Sequence, residues 1–423
     1  MIRLSGSGSF ALAARCLEPF HDTPPRTVFR TRLSHPDSGE PVDDCLAACF
    51  PSPHSYTGDD LVEISTHGGL IVPAAAVASL VAAGARPATP GEFTRRAVLN
   101  GKMDLLQAEA TADLIDAGSP AQRRRALQQL ERGLSDRLVA LRAEILELEA
   151  LIAYDIDFPE EDEGPVSPER VRGAWEVARW RVADLLKTAP EGERLREGAL
   201  LVIAGRPNAG KSSLFNALLG TERAIVTEIP GTTRDAIEAH AVIEGFPFRL
   251  VDTAGLRDAS ERIERLGIEV SKKYLAAADL VLYCEESDDP SRDAFLAQID
   301  APVVVVRTKA DRPSGRPAVA PSVSVVTGQG LAELRRTLAE VAFGRLLALG
   351  EVEPVVTRAR HRAALDRSLL ELDAFWEART NGVDAAATAT HLRAAVLALD
   401  DLIGAVTPED VLDRVFAAFC VGK

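Results

Sequence analysis

The chain has 423 residues, of which 46% are hydrophobic and 26% charged, and its formal net charge is −15. This length predicts two or three globular domains, and the acidic balance argues against a protein that coats nucleic acid nonspecifically. Five scattered cysteines and the lack of a charged-then-apolar leader favour reduced thiols in a cytoplasmic protein over a secreted disulfide scaffold.

The N-terminal stretch, residues 1–98, alternates short β-rich runs with turns. The runs are MIRLSG, TVFRTRL, DDCLAACF and LVEIST, and an alanine-rich helix follows them. This order is typical of a small α+β domain. Residues 68–85 carry no charge and reach the nominal length of a membrane span, but their alanines, Pro73 and Gly84 favour a buried core helix and no membrane contact.

Residues 99–197 read as the first part of an all-α helical domain. Apolar residues three or four apart predict one long helix with a continuous stripe that faces a helix bundle. These residues are Leu127, Leu130, Leu134, Leu138, Leu141, Ile145, Leu148 and Ile152. An acidic connector, DFPEEDEGPVSPE, precedes another predicted helix near residues 168–187.

Residues 198–345 change to an α/β pattern. The apolar strands GALLVIAG, FRLVDTAG, ADLVLYC and APVVVVRTK are separated by helical stretches, which predicts a parallel sheet covered on both faces. Residues 346–423 are helical again. The α/β domain is therefore predicted to be inserted into the helical domain.

A phosphate-binding loop follows the first strand of the α/β domain. The segment GRPNAGKS, residues 205–212, matches G-x-x-x-x-G-K-[ST] and lies between an apolar strand and a helix, the context that this motif requires. Backbone N–H groups around Asn208 to Lys211 can surround the β-phosphate. Lys211 places its charge between the β- and γ-phosphates, and the hydroxyl of Ser212 is a ligand for Mg²⁺.

Three further motifs follow in the order that a Ras-like P-loop GTPase requires. Thr233 in PGTTRD can close on the γ-phosphate and Mg²⁺, Asp252 in DTAG lies by the metal, and the Gly255 N–H lies by the γ-phosphate. Asp311 in TKAD can accept two N–H bonds from guanine, which selects GTP over ATP. The predicted GTP-binding residues are Asn208, Ala209, Gly210, Lys211, Ser212, Ser213, Thr233, Asp252, Thr253, Ala254, Gly255, Thr308, Lys309, Ala310, Asp311, Ser324, Val325 and Val326.

Two departures from the usual GTPase motifs affect the expected mechanism. Thr308 begins the guanine motif where asparagine is usual, and the lost amide should weaken support for the phosphate loop and so the affinity for GTP. Leu256 follows DTAG where small signalling GTPases carry a glutamine that orients water. An apolar side chain cannot do this, so we expect the orienting group elsewhere, with candidates in the acidic segment LRDASERIERLG.

These motifs, together with STHGG, PGEFTRRAVLNGKMDLLQAEA and the terminal FCVGK, resemble the MnmE (TrmE) family of tRNA modification GTPases, relatives of Era and EngA. The resemblance runs from Met1 to Lys423. It implies an N-terminal tetrahydrofolate-binding-like domain that forms a homodimer, and a K⁺-dependent GTPase activated by G-domain dimerisation. It also implies that the protein acts with a flavin-dependent partner, MnmG (GidA). Together they would add an aminomethyl or carboxymethylaminomethyl group, from ammonium or glycine, at C5 of the wobble uridine of certain tRNAs.

The resemblance also assigns roles to particular residues. It adds Thr227, Glu228, Ile229, Pro230, Gly231 and Thr232 to the GTP-binding set, and it implies a K⁺ site at Asn208, Thr227, Ile229 and Thr232. Ser212 and Thr233 would hold Mg²⁺. Glu264 would position the attacking water through a bridging water, and Lys211 and Thr233 would complete the catalytic set. A 5-formyl- or methylene-tetrahydrofolate would bind Arg3, Glu63, Lys102 and Lys423.

Both ends of the chain bear on this resemblance. The chain begins directly at the IRLSG strand, without the T-P-P-G-type turn that usually precedes it in the family, so we expect the folate and dimerisation domain to be shortened at its start. At the other end, glycine and lysine after Cys420 match a lipidation box poorly. Cys420 is either a thiol that takes part in the one-carbon chemistry or a small buried residue.

A different class of protein shares the GTPase motifs. An Era-like GTP-switched RNA-binding factor for ribosome assembly would carry the same loops without any modification chemistry. Such a protein is expected to have a basic RNA-binding appendage. The acidic helical domain and the FCVGK ending favour the tRNA-modifying enzyme instead.

Overall fold

A computed structural model of the chain describes residues 1–20, 25–157, 166–220, 238–252, 272–287, 292–312, 321–350 and 353–404, with Leu412, Val415, Phe416 and Phe419. The chain divides into two compact units, residues 1–112 with 400–423 and residues 113–399. No helix in the described ranges is long and apolar enough to cross a membrane.

The first unit is built on a five-stranded antiparallel sheet of order β1-β5-β4-β3-β2, which confirms the α+β prediction. Its strands are β1 (Ile2–Ser5), β2 (Leu17–Glu18), β3 (Val28–Ser34), β4 (Pro41–Phe50) and β5 (Leu61–Ser65). Helices α1 (Ser9–Cys16) and α2 (Ile71–Ala82) pack on it, and they bury Ala13 and Leu80. Residues 68–85 contain a core helix as expected, but it is buried on one face only. Val77 and Val81 on α2 remain about two-fifths exposed because only one face of the helix meets the sheet.

Two further helices of this unit, α3 (Glu92–Leu99) and α4 (Leu105–Asp116), enclose the C-terminal residues that the structure describes. Phe416 and Phe419 pack with Leu105 in a separate apolar cluster. Gly91, at φ 68°, makes the approach possible, because a Cβ there would lie 2.9 Å from the carbonyl oxygen of Phe416. The end of the chain is thus held against α3 and α4.

The helical part of the second unit differs from the sequence prediction in one respect. Residues 120–157 form two helices, α5 (Pro120–Leu130) and α6 (Gly133–Asp157), because Arg132 takes a left-handed conformation with φ 68°. Along α6 the predicted stripe from Leu134 to Ile152 is buried. Leu127 lies on α5 and is 43% exposed, because α5 instead packs on the α/β core through Ala121. Two more helices follow, α7 (Pro168–Leu186) and α8 (Ala189–Glu197).

The α/β domain is a five-stranded sheet of order β10-β9-β6-β8-β7. Its elements are β6 (Ala199–Gly205), α9 (Lys211–Leu219), β7 (Glu238–Ile243), β8 (Phe246–Asp252), β9 (Leu280–Glu285), α10 (Arg292–Leu296), β10 (Val303–Arg307) and α11 (Leu331–Leu349). The sheet is parallel as predicted, except that the edge strand β7 runs antiparallel to β8. Glu244 and Gly245, both at positive φ, make this hairpin turn. The chain then returns to helices α12 (Ala359–Thr380) and α13 (Ala385–Ile403).

Candidate functional site

The phosphate loop lies between the carboxyl end of the buried central strand β6 and the first turn of α9. Gly205, at φ 139°, runs so close to β9 that a Cβ would lie 2.2 Å from the carbonyl oxygen of Cys284. Asn208 and Gly210 also have positive φ, 62° and 80°. Successive turns of this kind direct backbone N–H groups into one concavity and so form an anion-binding nest.

Lys211 is the first residue of α9 and is almost fully buried, with 6% of its surface exposed. Its ammonium donates a hydrogen bond to the carbonyl oxygen of Arg206 at 2.7 Å, across the loop. A cation at the N-terminus of a helix adds to the positive potential of the free N–H groups there. This end of β6 can therefore hold several phosphate charges.

The guanine-motif threonine contacts the phosphate loop directly. The hydroxyl of Thr308 lies 2.7 Å from the carbonyl oxygen of Ala209 and 3.2 Å from that of Glu285, and Thr308 is buried. The shorter distance makes the Ala209 carbonyl the better acceptor for its single proton. The hydroxyl of Thr308 thus supplies a contact of its own to the phosphate loop, and the weaker affinity for GTP expected from the lost amide stays a prediction.

Asp311, the predicted guanine acceptor, is held by a serine of the neighbouring loop. Ser324 Oγ donates to Asp311 Oδ1 at 2.6 Å, and the Thr327 N–H donates to Ser324 Oγ at 3.2 Å. The hydrogen bond from Ser324 lowers the pKa of Asp311, so the carboxylate stays ionised near neutral pH. The predicted base-backing residues Val325 and Val326 follow in this loop and are exposed.

Glu286 is a supporting residue that the sequence analysis missed. It follows β9 and pairs with Lys309 Nζ at 2.6 Å and with Arg312 at 3.1 Å. Its pKa is lowered by the hydrogen bond from Lys309. These pairs fasten the TKAD loop to the end of β9. The position directly after an apolar strand was the only signal for this role.

Two other groups sit near the phosphate loop. Asp252 ends β8 and is in register with Ile203 of β6, so it lies beside the strand that leads into the phosphate loop, and its role by the metal stays a prediction. Cys284 of β9 is fully buried, and burial raises the pKa of its thiol to about 12. Because a thiol with that pKa is protonated at neutral pH, Cys284 acts as a packing residue.

Several predicted residues lie outside the described part of the chain. They are Thr227, Glu228, Ile229, Pro230, Gly231, Thr232, Thr233, Thr253, Ala254, Gly255, Leu256, Glu264, Cys420 and Lys423. Among the described residues there is no group of three or more His, Cys, Asp or Glu side chains that could hold a metal ion. The Mg²⁺ and K⁺ ligands predicted above are hydroxyl, amide and backbone groups, a different donor set.

The described folate candidates lie around the segment 53–57 of the first unit. Arg3 Nε donates to Glu63 Oε1 at 2.9 Å across the β1–β5 pair, and its guanidinium lies 5.4 Å from the centre of the Tyr56 ring. Lys102 Nζ donates to the carbonyl oxygen of Pro53 at 2.9 Å. Arg3 and Glu63 already bond to each other, so a ligand that binds both must bind beside this ion pair. A cavity of about 340 Å³ adjoins Arg3, and neither Glu63 nor Lys102 lines it.

Comparisons with known proteins cover the whole chain. A family model described as the MnmE helical domain matches residues 105–420, and one described as the N-terminus of the GTP-binding protein TrmE matches residues 1–102. The tRNA modification GTPase MnmE of Salinibacter ruber is 40% identical over 100% of this chain and 96% of its own length. The proteins of the same description from Chloroflexus aurantiacus, 42% identical, and Methylorubrum populi, 44% identical, cover 100% and 94% of this chain and 96% and 89% of their own length.

Among solved structures, the G domain of the T. maritima FeoB iron transporter is similar to part of the chain. It covers 34% of this chain and 98% of its own length at 30% identity, with a TM-score of 0.25. A score this low supports no argument from the superposition.

Proposed function

The chain belongs to the MnmE family of tRNA modification GTPases, and we propose that it is the GTP-hydrolysing subunit of a complex that modifies C5 of the wobble uridine in certain tRNAs. Family membership rests on matches to both family models and on relatives about 40% identical over the full chain. The protein is accordingly a GTP-hydrolysing enzyme of tRNA modification. The observation that carries the proposal is this match, which includes the N-terminal and helical regions as well as the G domain.

The proposed reaction involves a second protein, as the membership in the MnmE family implies. A flavin-dependent partner of the MnmG type supplies the redox chemistry, and the product is an aminomethyl or carboxymethylaminomethyl group from ammonium or glycine. The protein acts in the cytoplasm as a homodimer that forms through residues 1–98. Residues 99–197 and 346–423 make the helical domain, and residues 198–345 make the G domain.

For GTP hydrolysis we assign each phosphate contact to a particular group. The N–H groups of residues 208–211 and the Lys211 ammonium stabilise negative charge on the β- and γ-phosphates. Ser212 and Thr233 hold Mg²⁺, which neutralises charge on the phosphate oxygens when bound. The buried ammonium and the positive-φ loop support this assignment.

Glu264 and Asn208 complete the proposed mechanism. Glu264 positions the attacking water in place of the glutamine that Leu256 replaces. Asn208, with the backbone of Thr227, Ile229 and Thr232, holds K⁺, which would supply the charge that an arginine finger supplies in other GTPases. The left-handed conformation of Asn208 supports this role, because it places Asn208 in the turn of the phosphate loop before α9 begins.

We also propose a tetrahydrofolate site in the first unit. Arg3, Lys102 and Lys423 are cations suited to the glutamyl carboxylates, and Glu63 suits the N–H edge of the pterin. Arg3 and Lys102 both contact the segment 53–57, Arg3 at Tyr56 and Lys102 at Pro53, which supports placing them in one site. The packing of Phe419 against α4 supports the placement of Lys423 near the same unit.

The proposed function is tested by nucleoside analysis of tRNA from cells that lack this protein. We expect the modified wobble uridine to disappear, and to return when the wild-type gene is restored. Unchanged nucleosides in the deletion strain would contradict the proposal and favour a GTP-switched binding factor.

A further inference from the structure

Helix α8 contacts both the G domain and the helical bundle, and its G-domain contacts centre on a break in α11. Phe343 has non-helical dihedral angles, φ −135° and ψ 25°, inside α11. In an unbroken helix the Leu346 N–H would bond to the carbonyl oxygen of Ala342. Glu191 and Arg194 of α8 contact both of these groups.

The contacts at the break are complementary. The Glu191 carboxylate accepts from the N–H groups of Arg345 at 3.2 Å and Leu346 at 2.8 Å. Arg194 Nη1 donates to the carbonyl oxygen of Ala342 at 3.1 Å. A carboxylate on free N–H groups and a guanidinium on a free carbonyl are the pairings that cap helix ends. Helix α8 therefore caps both sides of the break.

Arg194 also reaches the segment that follows the DTAG region. Its Nε donates to Asp279 Oδ1 at 3.0 Å, and Asp279 Oδ2 accepts from the N–H of Leu200 at 2.9 Å. Asp279 lies two residues after a short helical stretch, residues 272–277. Tyr274 and Leu275 of this stretch pack against strands β6 and β8. The Asp279 N–H also donates to the carbonyl oxygen of Leu200 at 3.0 Å, so Asp279 joins this stretch to both β6 and Arg194.

The other side of α8 is fixed to the helical part of the chain. Glu193 pairs with Arg362 of α12 at 3.1 Å, and the Thr188 hydroxyl accepts from the N–H of Val356 at 3.0 Å. At Gly192 an added Cβ would lie only 2.0 Å from the carbonyl oxygen of Val356, so the helix has no room to slide there. Cavities of about 390 and 290 Å³ lie between α5 and the later part of α8, where Leu195 lines both. The tight packing of α8 is therefore at Gly192.

We propose that Glu191 and Arg194 are positioning residues that couple the G domain to the helical domain. In this role they carry movement of residues 272–279 through α8 to α12, so that GTP hydrolysis and uridine modification proceed together. This inference rests on the proposed function above, because it requires that the two activities belong to one reaction.

The test is the number of GTP molecules hydrolysed per uridine modified, measured with the full-length protein and its flavin-dependent partner. Loss of folded protein lowers both activities in parallel and leaves this ratio unchanged, whereas loss of coupling raises it. Arg194→Lys keeps the positive charge, but its single ammonium cannot hold Asp279 and the Ala342 carbonyl in the fork that arginine provides. We expect GTP turnover within about twofold of wild type and a ratio raised at least about fivefold, the lower end of typical coupling between sites.

Two further variants make the test specific. Glu191→Gln leaves one acceptor oxygen for two N–H groups and should raise the ratio independently of Arg194. Arg179→Lys is the matched control, because Arg179 pairs with Asp373 at 2.5 Å between α7 and α12, away from α11. Unchanged ratios in both test variants would overturn the inference. If the wild-type protein modifies no uridine, the proposed function itself is wrong, and the inferred coupling is rejected with it.

Discussion

Thr308→Val tests how a threonine can replace the usual asparagine of the guanine motif. The substitution keeps the volume of the side chain and removes the hydroxyl that donates to the Ala209 carbonyl at 2.7 Å. Thr308 and Ala209 are 5% and 4% exposed, so water cannot readily replace the lost donor. A buried acceptor left without its partner costs about 1–3 kcal/mol. If roughly half of this cost is expressed when the loop closes on phosphate, the Kd for GTP rises about two- to twelvefold.

The assay is calorimetric titration of GTP into wild type and variants in the presence of Mg²⁺. Thr308→Ser is the matched control, because it keeps the hydroxyl and loses only a methyl group, and its Kd should stay within about twofold of wild type. The preference for GTP over ATP should be the same in all three proteins, because Asp311 is untouched. Wild-type affinity in Thr308→Val would refute the view that the hydroxyl supports the loop.

Four other outcomes can be measured directly. Asp311→Asn should weaken GTP binding by at least about 100-fold and improve binding of xanthosine triphosphate, because an amide can donate to the oxygen that xanthine carries in place of the guanine amino group; equal GTP affinity would contradict the role of Asp311. A hydrogen bond from Arg86 lowers the pKa of Glu92 from 4.5 to about 2, so this carboxylate stabilises the fold above pH 4.5 and the effect is lost as the pH falls toward 2. This shift corresponds to about 3 kcal/mol, and solvent at the exposed Arg86 screens part of it. Urea denaturation at pH 7 should therefore find Glu92→Gln less stable by about 2 kcal/mol, with the difference shrinking in acid. GTP hydrolysis should be much faster in K⁺ than in Na⁺, and equal rates would remove the proposed role of Asn208. Glu264→Ala should bind GTP normally and lose most turnover in a phosphate-release assay; unimpaired turnover would remove the water-positioning role.

The parts of the fold that sequence predicted are those set by local pattern. The strand before GRPNAGKS and the helix after it are apolar and amphipathic runs of ordinary length, and they form β6 and α9 as expected. The apolar stripe predicted on residues 134–152 is buried along α6 for the same reason. The helix end at Leu130 was not predicted, because it depends on the left-handed conformation of Arg132, a residue type that does not favour this conformation. The apolar spacing continues across this break and therefore does not indicate it.

The support of the site was harder to predict than the site itself. Motif spacing predicts the roles of Lys211 and Asp311, because each belongs to a short motif common to the whole class of GTPases. The bonds from Ser324 to Asp311 and from Lys309 to Glu286 join loops that are 13 and 23 residues apart. The contacts of Glu191 with α11 span about 155 residues. No periodicity records such pairings, since they depend on how separate elements pack.

The position of α8 explains why side chains are needed to couple the two domains. Helix α8 ends at Glu197 and β6 begins at Ala199, so a single residue joins the helical domain to the central strand that carries the phosphate loop at its other end. That residue is Gly198, at φ 86°; its N–H donates to the carbonyl oxygen of Arg194 at 2.8 Å and its carbonyl oxygen accepts from Arg249 Nε at 3.2 Å. Strand β6 is hydrogen-bonded on both sides and buried over six of its seven residues, which makes it stiff. The main chain connects α8 to this strand through one residue only. Glu191 and Arg194 add side-chain contacts beyond that connection, because they hold α8 to α11 and to Asp279.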